Sequence, residues 1–529
     1  MNSVGNTRQL ENRDAAWESV ALEARRLVGI HGARVAQDPA RFANNHQRIH
    51  GILVDWSRQR IDQKAFDALD RLATSSDALG FLFRLARGDV LNASENRSVM
   101  HMALRVLDLD EGSNSSDDIR AERQRMLDFA THVRQGKHTG YDGRSFTDVL
   151  HIGIGGSHLG PAFICDALAS DCSLGVHFCT NADRREIRRT LRKLSPGRTL
   201  VVVASKSYTT HETLENAAFV RSWYAERVAA DVDISRHFVH VTANERAEIG
   251  NERVFRVPDT IGGRFSLWSA MGLPIALAIG PQKFVELLQG AQSMDQHVLS
   301  TPVGTNVGLR LAQLALWNVN FLGSTSHLVL PYDTRLRMFP AFCQQLEMES
   351  NGKSVDVHGD PVATHTSPVV WGGSETDGQH AWHQFLHQGT QRYSADILTT
   401  LDTAPSPGDQ TVHRWILANA LAQSSVMLYG RSDSGDETHK NIAGNHGSTV
   451  ILLDRLDAKT LGALIALYEH KVAFLGCMLG VNSFDQWGVE EGKVMATALD
   501  QALDGKNVGL MDSATAELLR TIRARIKNA

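Results

Sequence analysis

Asp148–Val149–Leu150–His151–Ile152–Gly153–Ile154–Gly155–Gly156–Ser157 is the stretch that decides the fold of this chain. An apolar run typical of a buried strand ends here at three glycines and a serine, and a segment of helical composition with Pro161 near its start follows at 159–168. A strand that turns through glycines into a helix N-terminus brings free backbone N–H groups and the positive end of the helix dipole to one place. The stretch therefore predicts a site for the phosphate group of a small molecule, to which Ser157 adds a hydroxyl. A tight turn without a ligand is the alternative interpretation.

The composition is that of an ordinary globular protein. Of 529 residues, 42% are hydrophobic and 21% are charged, which is enough for large cores and predicts two domains. The formal net charge of -5 offers no basic excess, so we expect no nucleic-acid partner. The chain starts with polar residues and has no apolar signal region there. The most apolar stretch, 461–481, contains Glu469, His470 and Lys471, so we expect a buried or half-buried helix, no membrane partner and a cytoplasmic location.

The cysteines are expected to be free thiols in a reducing compartment. Their number is odd, their spacing is not that of a zinc site, and most of them sit in apolar runs. They are Cys165, Cys172, Cys179, Cys343 and Cys477.

Helical periodicity fills the first part of the chain, and strands alternate with helices after it. The helical segments are predicted at 14–28, 64–74 and 77–87, and a polar cluster at 111–118 indicates a boundary. Short apolar runs typical of strands lie at 149–152, 176–179, 200–204, 238–242 and 254–257, and a second set lies at 327–331, 397–400 and 449–453. Helices are predicted at 412–429 and 459–480, a helical connection at 282–320, and surface loops at 404–410 and 430–447.

This alternation predicts an α/β fold with two sandwiches of mostly parallel strands, covered by helices on both faces. We predict a helical N-terminal segment at 1–115 that packs on the larger domain. The first, smaller domain is predicted at 116–280, the second, larger one at 281–505, and a helical C-terminal tail at 506–529.

A second strand-to-helix turn, at 203–213, concentrates hydroxyl groups around one ammonium group. Ser205, Lys206, Ser207 and Thr210 follow a buried strand and precede a helix, where hydroxyls and amides hold a phosphate well. An ordinary helix cap is the alternative, but one hydroxyl would be enough for a cap. A dinucleotide site is disfavoured because His158 stands where that fingerprint requires a small residue, although Asp183 has the position of a ribose-binding acid.

Three further segments carry groups suited to proton transfer. Glu349 follows a predicted helix at 334–347, where a carboxylate is unfavourable because it opposes the helix dipole. A general base placed at a cleft would explain a glutamate at this position, and a solvated side chain is the alternative interpretation. His380, His383 and His387 are predicted to share a helix face, but without a carboxylate or thiolate in the pattern a single acid–base histidine is favoured over a metal site. Lys493, in the segment 483–493, is the third candidate group for proton transfer, and an ordinary surface lysine is the alternative interpretation.

Taken together, these stretches resemble the glucose-6-phosphate isomerase (phosphoglucose isomerase) family from about residue 15 to about residue 510. The segments that carry the resemblance lie at 95–97, 101, 103–105, 259–270, 348–353 and 484–493. The resemblance implies two SIS-type (sugar-isomerase) α/β domains and a homodimer that binds a sugar phosphate in sites shared between subunits. It also implies that neither a metal ion nor an organic cofactor is used.

The resemblance also implies a role for each site residue in the interconversion of glucose 6-phosphate and fructose 6-phosphate, a step of glycolysis and gluconeogenesis. Glu349 is implied as the base between C2 and C1, Arg264 as the cation beside the enediolate oxygen, and His380 and Lys493 as the ring-opening pair, with the histidine supplied by the neighbouring subunit. The implied substrate- and phosphate-binding residues are Gly156, Ser157, Ser205, Lys206, Ser207, Thr210, Gly263, Gln345 and Gln486. A non-enzymatic sugar-phosphate regulator on the same fold is the alternative.

The chain departs from the family pattern at several positions near these groups. His158 stands where the family usually has Asp, Ser207 replaces a usual Thr, and Leu346–Glu347 replaces a usual Gly followed by Asp or Asn. His383 replaces an aromatic residue, and 444–447 replaces a segment with Arg-Pro. None of these changes removes a reactive group, so they bear on rate and loop conformation rather than on the reaction.

Overall fold

The computed structural model describes residues 2–107, 114–402, 406–432, 437–506, 509 and 511–526. The chain forms two compact units, Met1–Ser483 and Phe484–Ala529. The first unit contains both large sheets and the second contains the C-terminal helices.

The N-terminal part of the first unit combines helices with two hairpins. Its helices are α1 (Asn2–Val28), α2 (Gly32–Val35), α3 (Arg41–Asn44), α4 (Gln63–Ser75) and α5 (Ala78–Arg87), and its strands are β1 (His46–Ile49), β2 (Ile52–Asp55), β3 (Val90–Asn92) and β4 (Arg97–Ser98). The sequence predicted helices alone, so the four strands correct that prediction. His50 and Gly51 join β1 to β2 with φ values of 47° and 76°, which is the backbone of a tight two-residue hairpin turn.

The first large sheet consists of five parallel strands, which confirms the predicted parallel α/β arrangement. They are β5 (Asp148–Ile152), β6 (Gly175–Cys179), β7 (Thr199–Ala204), β8 (Phe238–Thr242) and β9 (Arg253–Arg256), in the order β6-β5-β7-β8-β9. The accompanying helices are α6 (Asn114–Arg134), α7 (Leu159–Ala167), α8 (Arg184–Leu191), α9 (His211–Ala225) and α10 (Leu273–Ile279). Leu150, Val201 and Val203 of this sheet share a core with Val220 and Trp223 of α9. Of the polar turn cluster predicted as a boundary at 111–118, residues 111–113 lie outside the described residues, and residues 114–118 form the start of α6 rather than a turn.

The second large sheet has six strands and recruits the N-terminal hairpin. Its other strands are β10 (Ser326–Pro331), β11 (Val369–Gly372), β12 (Tyr393–Thr400) and β13 (Gly447–Leu453), and the order is β1-β2-β13-β12-β10-β11. β10 to β13 are mutually parallel, whereas β2 pairs antiparallel with β13 and β1 with β2. β11 was not predicted from the sequence. The accompanying helices are α11 (Pro281–Ser300), α12 (Val307–Leu316), α13 (Phe339–Asn351), α14 (Asp377–Ala381), α15 (His383–Gln388), α16 (Pro407–Tyr429) and α17 (Ala458–Leu479).

α17 is the central core helix of the first unit. It is long and apolar enough to cross a membrane by composition, but 94% of its apolar window is buried inside the protein, where it packs against α11, α12 and α13. Its polar residues have partners: Lys471 Nζ donates to Glu347 Oε2 at 2.9 Å, and His470 Nε2 lies 2.6 Å from Asp295 Oδ1. A buried charge is tolerated only when it is paired in this way. The expectation of a buried helix at 461–481 is confirmed.

The predicted loops 404–410 and 430–447 lie before and after α16. Of the predicted loop 404–410, residues 407–410 belong to the helix, because Ser406 Oγ accepts a hydrogen bond from the Asp409 backbone N–H and caps its first turn. Residues 403–405 lie outside the described part of the chain, as do 433–436 of the predicted loop 430–447.

All five cysteines are free thiols, as the sequence predicted. Cys165, Cys179 and Cys343 are buried, whereas Cys172 and Cys477 are half-buried. Burial raises the pKa of each thiol, to about 12 for Cys179, so these groups are protonated and unreactive near neutral pH.

The second unit consists of two helices, α18 (Glu490–Leu503) and α19 (Ser513–Ile526), which pack against each other. A short 3-10 turn at Trp487–Val489 precedes α18. Several large apolar side chains of this unit are exposed, among them Val494, Met495 and Leu518.

Candidate active site

The glycine loop, residues 153–157, connects β5 to α7 as the sequence predicted. Gly155 has a φ of 57°, which favours glycine, and Gly155–Ser157 forms a single 3-10 turn before the helix. His151 Nε2 lies 2.8 Å from the Ser157 backbone oxygen and fixes the end of the loop against the strand. Ser157 is half-buried at the helix start, where backbone N–H groups are available to an anion.

Gly156 and Gly263 meet backbone to backbone, which joins the glycine loop to the segment that carries Arg264. A Cβ atom on Gly156 would fall on the carbonyl group of Gly263 and 2.6 Å from the Arg264 backbone nitrogen. No side chain fits between these two segments. The close approach accounts for glycine at position 156 and places the backbone of Arg264 beside the predicted phosphate site.

The phosphate loop, residues 205–210, is held by bonds among its own hydroxyl groups. The Ser205 and Thr210 hydroxyl oxygens are 3.0 Å apart, and Ser207 Oγ accepts a hydrogen bond from Thr209 Oγ1 at 2.8 Å. Lys206 Nζ donates to the Asp259 backbone oxygen at 2.8 Å, which ties the loop to the segment that leads into Gly263. Burial lowers the pKa of the Lys206 ammonium, and the nearby Asp259 opposes this shift.

Tyr208 connects the phosphate loop to strand β8, a contact that the sequence did not predict. Tyr208 has a φ of 55°, a left-handed conformation that is costly for a non-glycine residue. Its hydroxyl lies 2.8 Å from His240 Nδ1, and His240 Nε2 lies 2.5 Å from Glu252 Oε2. Arg221 binds both carboxylate oxygens of Glu252 and completes the chain of contacts. The strained residue is thus fixed to the buried strand β8.

Arg264 and Glu349 lie at the centre of the site. Arg264 is 4% exposed, and its Nη1 is 3.4 Å from Glu349 Oε1. Its Nε donates to Ser350 Oγ at 2.6 Å and its Nη2 to the Ser483 backbone oxygen at 2.7 Å. A guanidinium held at three points is a fixed positive charge, which can stabilise developing negative charge without reorganisation.

Glu349 occupies the last turn of α13 rather than a position beyond the helix. The predicted helix 334–347 is a 3-10 turn at Thr334–Leu336 followed by α13, which ends four residues later than predicted, at Asn351. Lys353 Nζ donates to the backbone oxygens of Glu349 and Ser350, so a cation offsets the negative end of the helix dipole beside the carboxylate. Gln345, one turn earlier on the same helix, has its Nε2 3.3 Å from the point where a Cβ on Gly155 would lie.

His380 is exposed on the short helix α14. The three histidines do not share one helix, because α14 ends at Ala381 and α15 begins at His383, which corrects that prediction. His383 and His387 instead converge on Gln423 Oε1, at 3.1 and 2.7 Å. Among the residues that the structure describes, no hydrogen bond or ion pair joins His380 to Arg264 or Glu349.

Gln486 and Lys493 belong to the second unit. Lys493 is exposed on α18, and its Nζ donates to Glu490 Oε1 at 2.7 Å. Gln486 precedes the 3-10 turn before that helix.

Within the first unit, the structure therefore brings together six of the predicted site residues and places the phosphate loop next to them. The six are Gly156, Ser157, Gly263, Arg264, Gln345 and Glu349. The phosphate loop adjoins the glycine loop, since a Cβ on Gly153 would lie 3.0 Å from the Ala204 backbone oxygen. One anion anchor, one fixed guanidinium and one partly exposed carboxylate suit proton transfer on a phosphorylated small molecule.

Sequence reasoning missed the residues that orient these groups. Ser350 and Ser483 fix the guanidinium, and Tyr208 with His240 fixes the phosphate loop. Ser350 directly follows the predicted base, which is a weak signal; the other three contacts join residues far apart in the chain.

The chain matches one known protein family over most of its length. Residues 55–519 match the family model for phosphoglucose isomerase. Among curated relatives, glucose-6-phosphate isomerase of Pseudomonas fluorescens is 41% identical, covering 92% of this chain and 93% of that protein. Glucose-6-phosphate isomerase of Dechloromonas aromatica is 40% identical, covering 96% and 98%.

A solved structure with the same fold is that of a glucose-6-phosphate isomerase from Chlamydia trachomatis. It has a TM-score of 0.86 and 30% sequence identity, and the alignment covers 96% of this chain and 98% of that one.

Proposed function

This chain belongs to the phosphoglucose isomerase family and interconverts glucose 6-phosphate and fructose 6-phosphate, and we propose that the groups around Arg264 and Glu349 carry out this reaction. The observation that carries the assignment of residues is the 3.4 Å approach of a partly exposed carboxylate to a buried guanidinium beside two phosphate-type loops. The alternative of a non-enzymatic regulator is not favoured, because the relatives at about 40% identity are isomerases by name.

The phosphate group of the substrate is bound by the glycine loop and the phosphate loop. Ser157 and the start of α7 supply a hydroxyl and backbone N–H groups, and Ser205, Ser207 and Thr210 supply further hydroxyls. Lys206 adds a positive charge at the same place. Anchoring the phosphate fixes the distance from that end of the sugar to the reacting carbons, so binding energy is used for orientation.

Glu349 moves one proton between C2 and C1. The aldose and the ketose differ by this proton and by the position of the carbonyl group, so one carboxylate can remove the proton and return it to the neighbouring carbon. The intermediate is an enediolate whose negative charge develops on oxygen. Arg264 stabilises that charge, and Gln345 and Gln486 bind the hydroxyl groups of the sugar.

The closed sugar ring has to open before this proton transfer. One group must remove the proton of the C1 hydroxyl and another must deliver a proton to the ring oxygen. We assign this work to His380 and Lys493, because an imidazole can accept a proton and an ammonium group can donate one. The reaction needs neither a metal ion nor an organic cofactor in this scheme.

The working enzyme is proposed to be a cytoplasmic homodimer in which His380 is supplied by the neighbouring subunit. Two features support a partner: His380 is exposed and makes no hydrogen bond or ion pair with Glu349 among the described residues, and α16 exposes the apolar residues Val412, Trp415 and Leu421. Large exposed apolar side chains grouped on one helix are typical of an interface. The division into segments at 1–115, 116–280, 281–505 and 506–529 is retained as a proposal.

The decisive experiment replaces Glu349 by glutamine. Glutamine has nearly the same shape but cannot accept the proton, so we expect kcat to fall by about 10³-fold or more, with retained binding of sorbitol 6-phosphate, which lacks a carbonyl group. The measurement is entry of solvent deuterium at C2, followed by NMR.

The control variant is Glu226→Gln, since Glu226 is an exposed glutamate paired with Arg227 outside the site. It should exchange deuterium like the unmodified protein. Undiminished exchange in Glu349→Gln would reject Glu349 as the base.

A further inference from the structure

A positively charged depression lies where strands of the second sheet begin. Ser324 precedes β10, Tyr393 opens β12 and Gly447 opens β13; because these strands are parallel, their first residues lie at one edge of the sheet. Arg60 and Arg392 line the same depression. None of its lining residues belongs to the group around Arg264 and Glu349.

The Arg60 side chain is largely buried and makes no hydrogen bond or ion pair within the part of the chain that the structure describes. It is 5% exposed, and its Nε is sealed from solvent and makes no hydrogen bond. Its stem is packed under Gly32, where a Cβ atom would lie 2.7 Å from Arg60 Cγ. Throughout the described part of the chain, no carboxylate forms an ion pair with this guanidinium. Burial, and next the charge of Arg392, lowers its pKa to about 10, so it still carries its charge at neutral pH.

A largely buried positive charge without a carboxylate partner lowers stability, because it loses part of its hydration and gains no opposite charge in return. The other side chains around Arg60 do not relieve this cost. Arg392 adds a second positive charge, and Asn445 Oδ1 accepts a hydrogen bond from the Gly32 backbone N–H. His446 stacks on Tyr393 with 4.0 Å between ring centroids.

His446 also lies within the field of both arginines. Burial is the largest influence on its pKa, and with the charges of Arg60 and Arg392 it lowers the value to about 4. The lining of the depression therefore combines positive charges with N–H and O–H donors, and it includes no aspartate or glutamate. An anion is the ligand that this chemistry accepts.

We propose that this depression binds one small monovalent anion of the size of chloride between Arg60 and Arg392. The space that the centre of a water-sized sphere can reach in this depression is about 10 Å³, which suits a single small ion better than a sugar phosphate. The bound anion neutralises the buried guanidinium and stabilises the edge of the sheet where β12 and β13 begin. This site is independent of catalysis.

The first test locates the ion directly. Crystals of the full-length protein are grown with sodium bromide in place of chloride, and bromide is located from its anomalous scattering. We expect a peak within hydrogen-bonding distance of both guanidinium groups. No peak there, or peaks only beside exposed arginines such as Arg189, would mean an adventitious ion only and would overturn the proposal.

The second test measures the effect in solution. At constant ionic strength, chloride replaces methanesulfonate, which is too bulky for the floor of the depression, and thermal unfolding is followed. Ligands that bind only the folded state raise the midpoint, here by about 2 °C or more. We expect Arg60→Gln to lose this shift and Arg392→Gln to lose at least half of it.

Arg189→Gln is the matched control and should keep the full shift, since Arg189 is an exposed arginine of α8. Arg392 is exposed, so its replacement tests the proposal even if Arg60→Gln does not fold. Equal shifts in all variants would show that chloride acts elsewhere, and the proposal would fail.

Discussion

At the scale of single residues, the site depends on contacts that leave no room for a side chain. Gly156 is the clearest case, because its Cα faces the backbone of Gly263 and Arg264 rather than a side chain that can move away. The backbone of Arg264, the arginine proposed to be catalytic, is therefore positioned partly because residue 156 has no Cβ atom.

Replacement of Gly156 by alanine should separate the glycine loop from Arg264. The added methyl group overlaps the Gly263 carbonyl, so one of the two backbones must shift, and displacements near 1 Å cost about 10²-fold in rate. We expect kcat/KM for fructose 6-phosphate to fall by about that factor in a coupled assay. Gly29→Ala is the control, since a Cβ there meets nothing within 4 Å. Unchanged kinetics in Gly156→Ala would show that the loops can separate without consequence.

At the scale of elements, the phosphate loop is rigid because one strained residue is fixed to a neighbouring strand. The left-handed backbone of Tyr208 costs about 1–2 kcal/mol, and the bonds through His240 to Glu252 offset it. Without this connection to β8, only the hydrogen bonds among the loop's own hydroxyl groups would hold the phosphate loop in place.

Tyr208→Phe removes only the hydroxyl that makes this connection. The loop should then be less well organised before the phosphate binds, so we expect KM for glucose 6-phosphate to rise about 5- to 20-fold, which corresponds to about 1–2 kcal/mol, with kcat changed less than twofold. Steady-state kinetics and the affinity for inorganic phosphate give the two readouts. Tyr429→Phe, at an exposed tyrosine, should alter neither. An unaltered KM in Tyr208→Phe would refute this role for the hydroxyl.

The same scale shows what the sequence could predict. The parallel strands of both sheets were recognisable because they are unbroken apolar runs, and the two phosphate-type loops were recognisable because glycine and hydroxyl residues follow such runs directly. β1 to β4 and β11 were missed because each has four residues or fewer and β1 is largely polar. The break between α14 and α15 was missed because nothing in the spacing of the histidines indicates it.

No local sequence pattern could predict the contacts in the site between residues that lie far apart in the chain. Arg264 meets Ser350 and Ser483, and Lys206 meets Asp259, only after the sheets have packed. The family resemblance implied a base in Glu349 and a cation beside the enediolate oxygen in Arg264, whereas the 3.4 Å separation between the two side chains is a property of the folded chain.

At the scale of the whole molecule, the proposed division of labour between subunits can be tested by complementation. His380→Ala and Lys493→Ala each remove one member of the ring-opening pair. If the histidine comes from the neighbouring subunit, a mixed dimer has one site with both groups intact, and random reassociation after unfolding and refolding should restore about a quarter of the unmodified activity.

Refolding either variant alone is the control and should restore no activity beyond its own residual rate. Failure of the mixture to exceed the two separate variants would mean that each chain is self-sufficient. The ring-opening step itself can be isolated by supplying the open-chain form of the substrate.

The N-terminal hairpin has a consequence for how the protein is made. β2 pairs with β13, which lies about 400 residues later in the chain. During synthesis β2 therefore leaves the ribosome long before its partner strand exists. At typical translation speeds of about 5–20 residues per second, its open edge is exposed for about 20–80 seconds in every newborn chain. During that interval the hairpin is a template for wrong pairing with other nascent chains. Recovery of native protein from synthesis should therefore depend on chaperone capacity more strongly than the stability of the finished fold suggests.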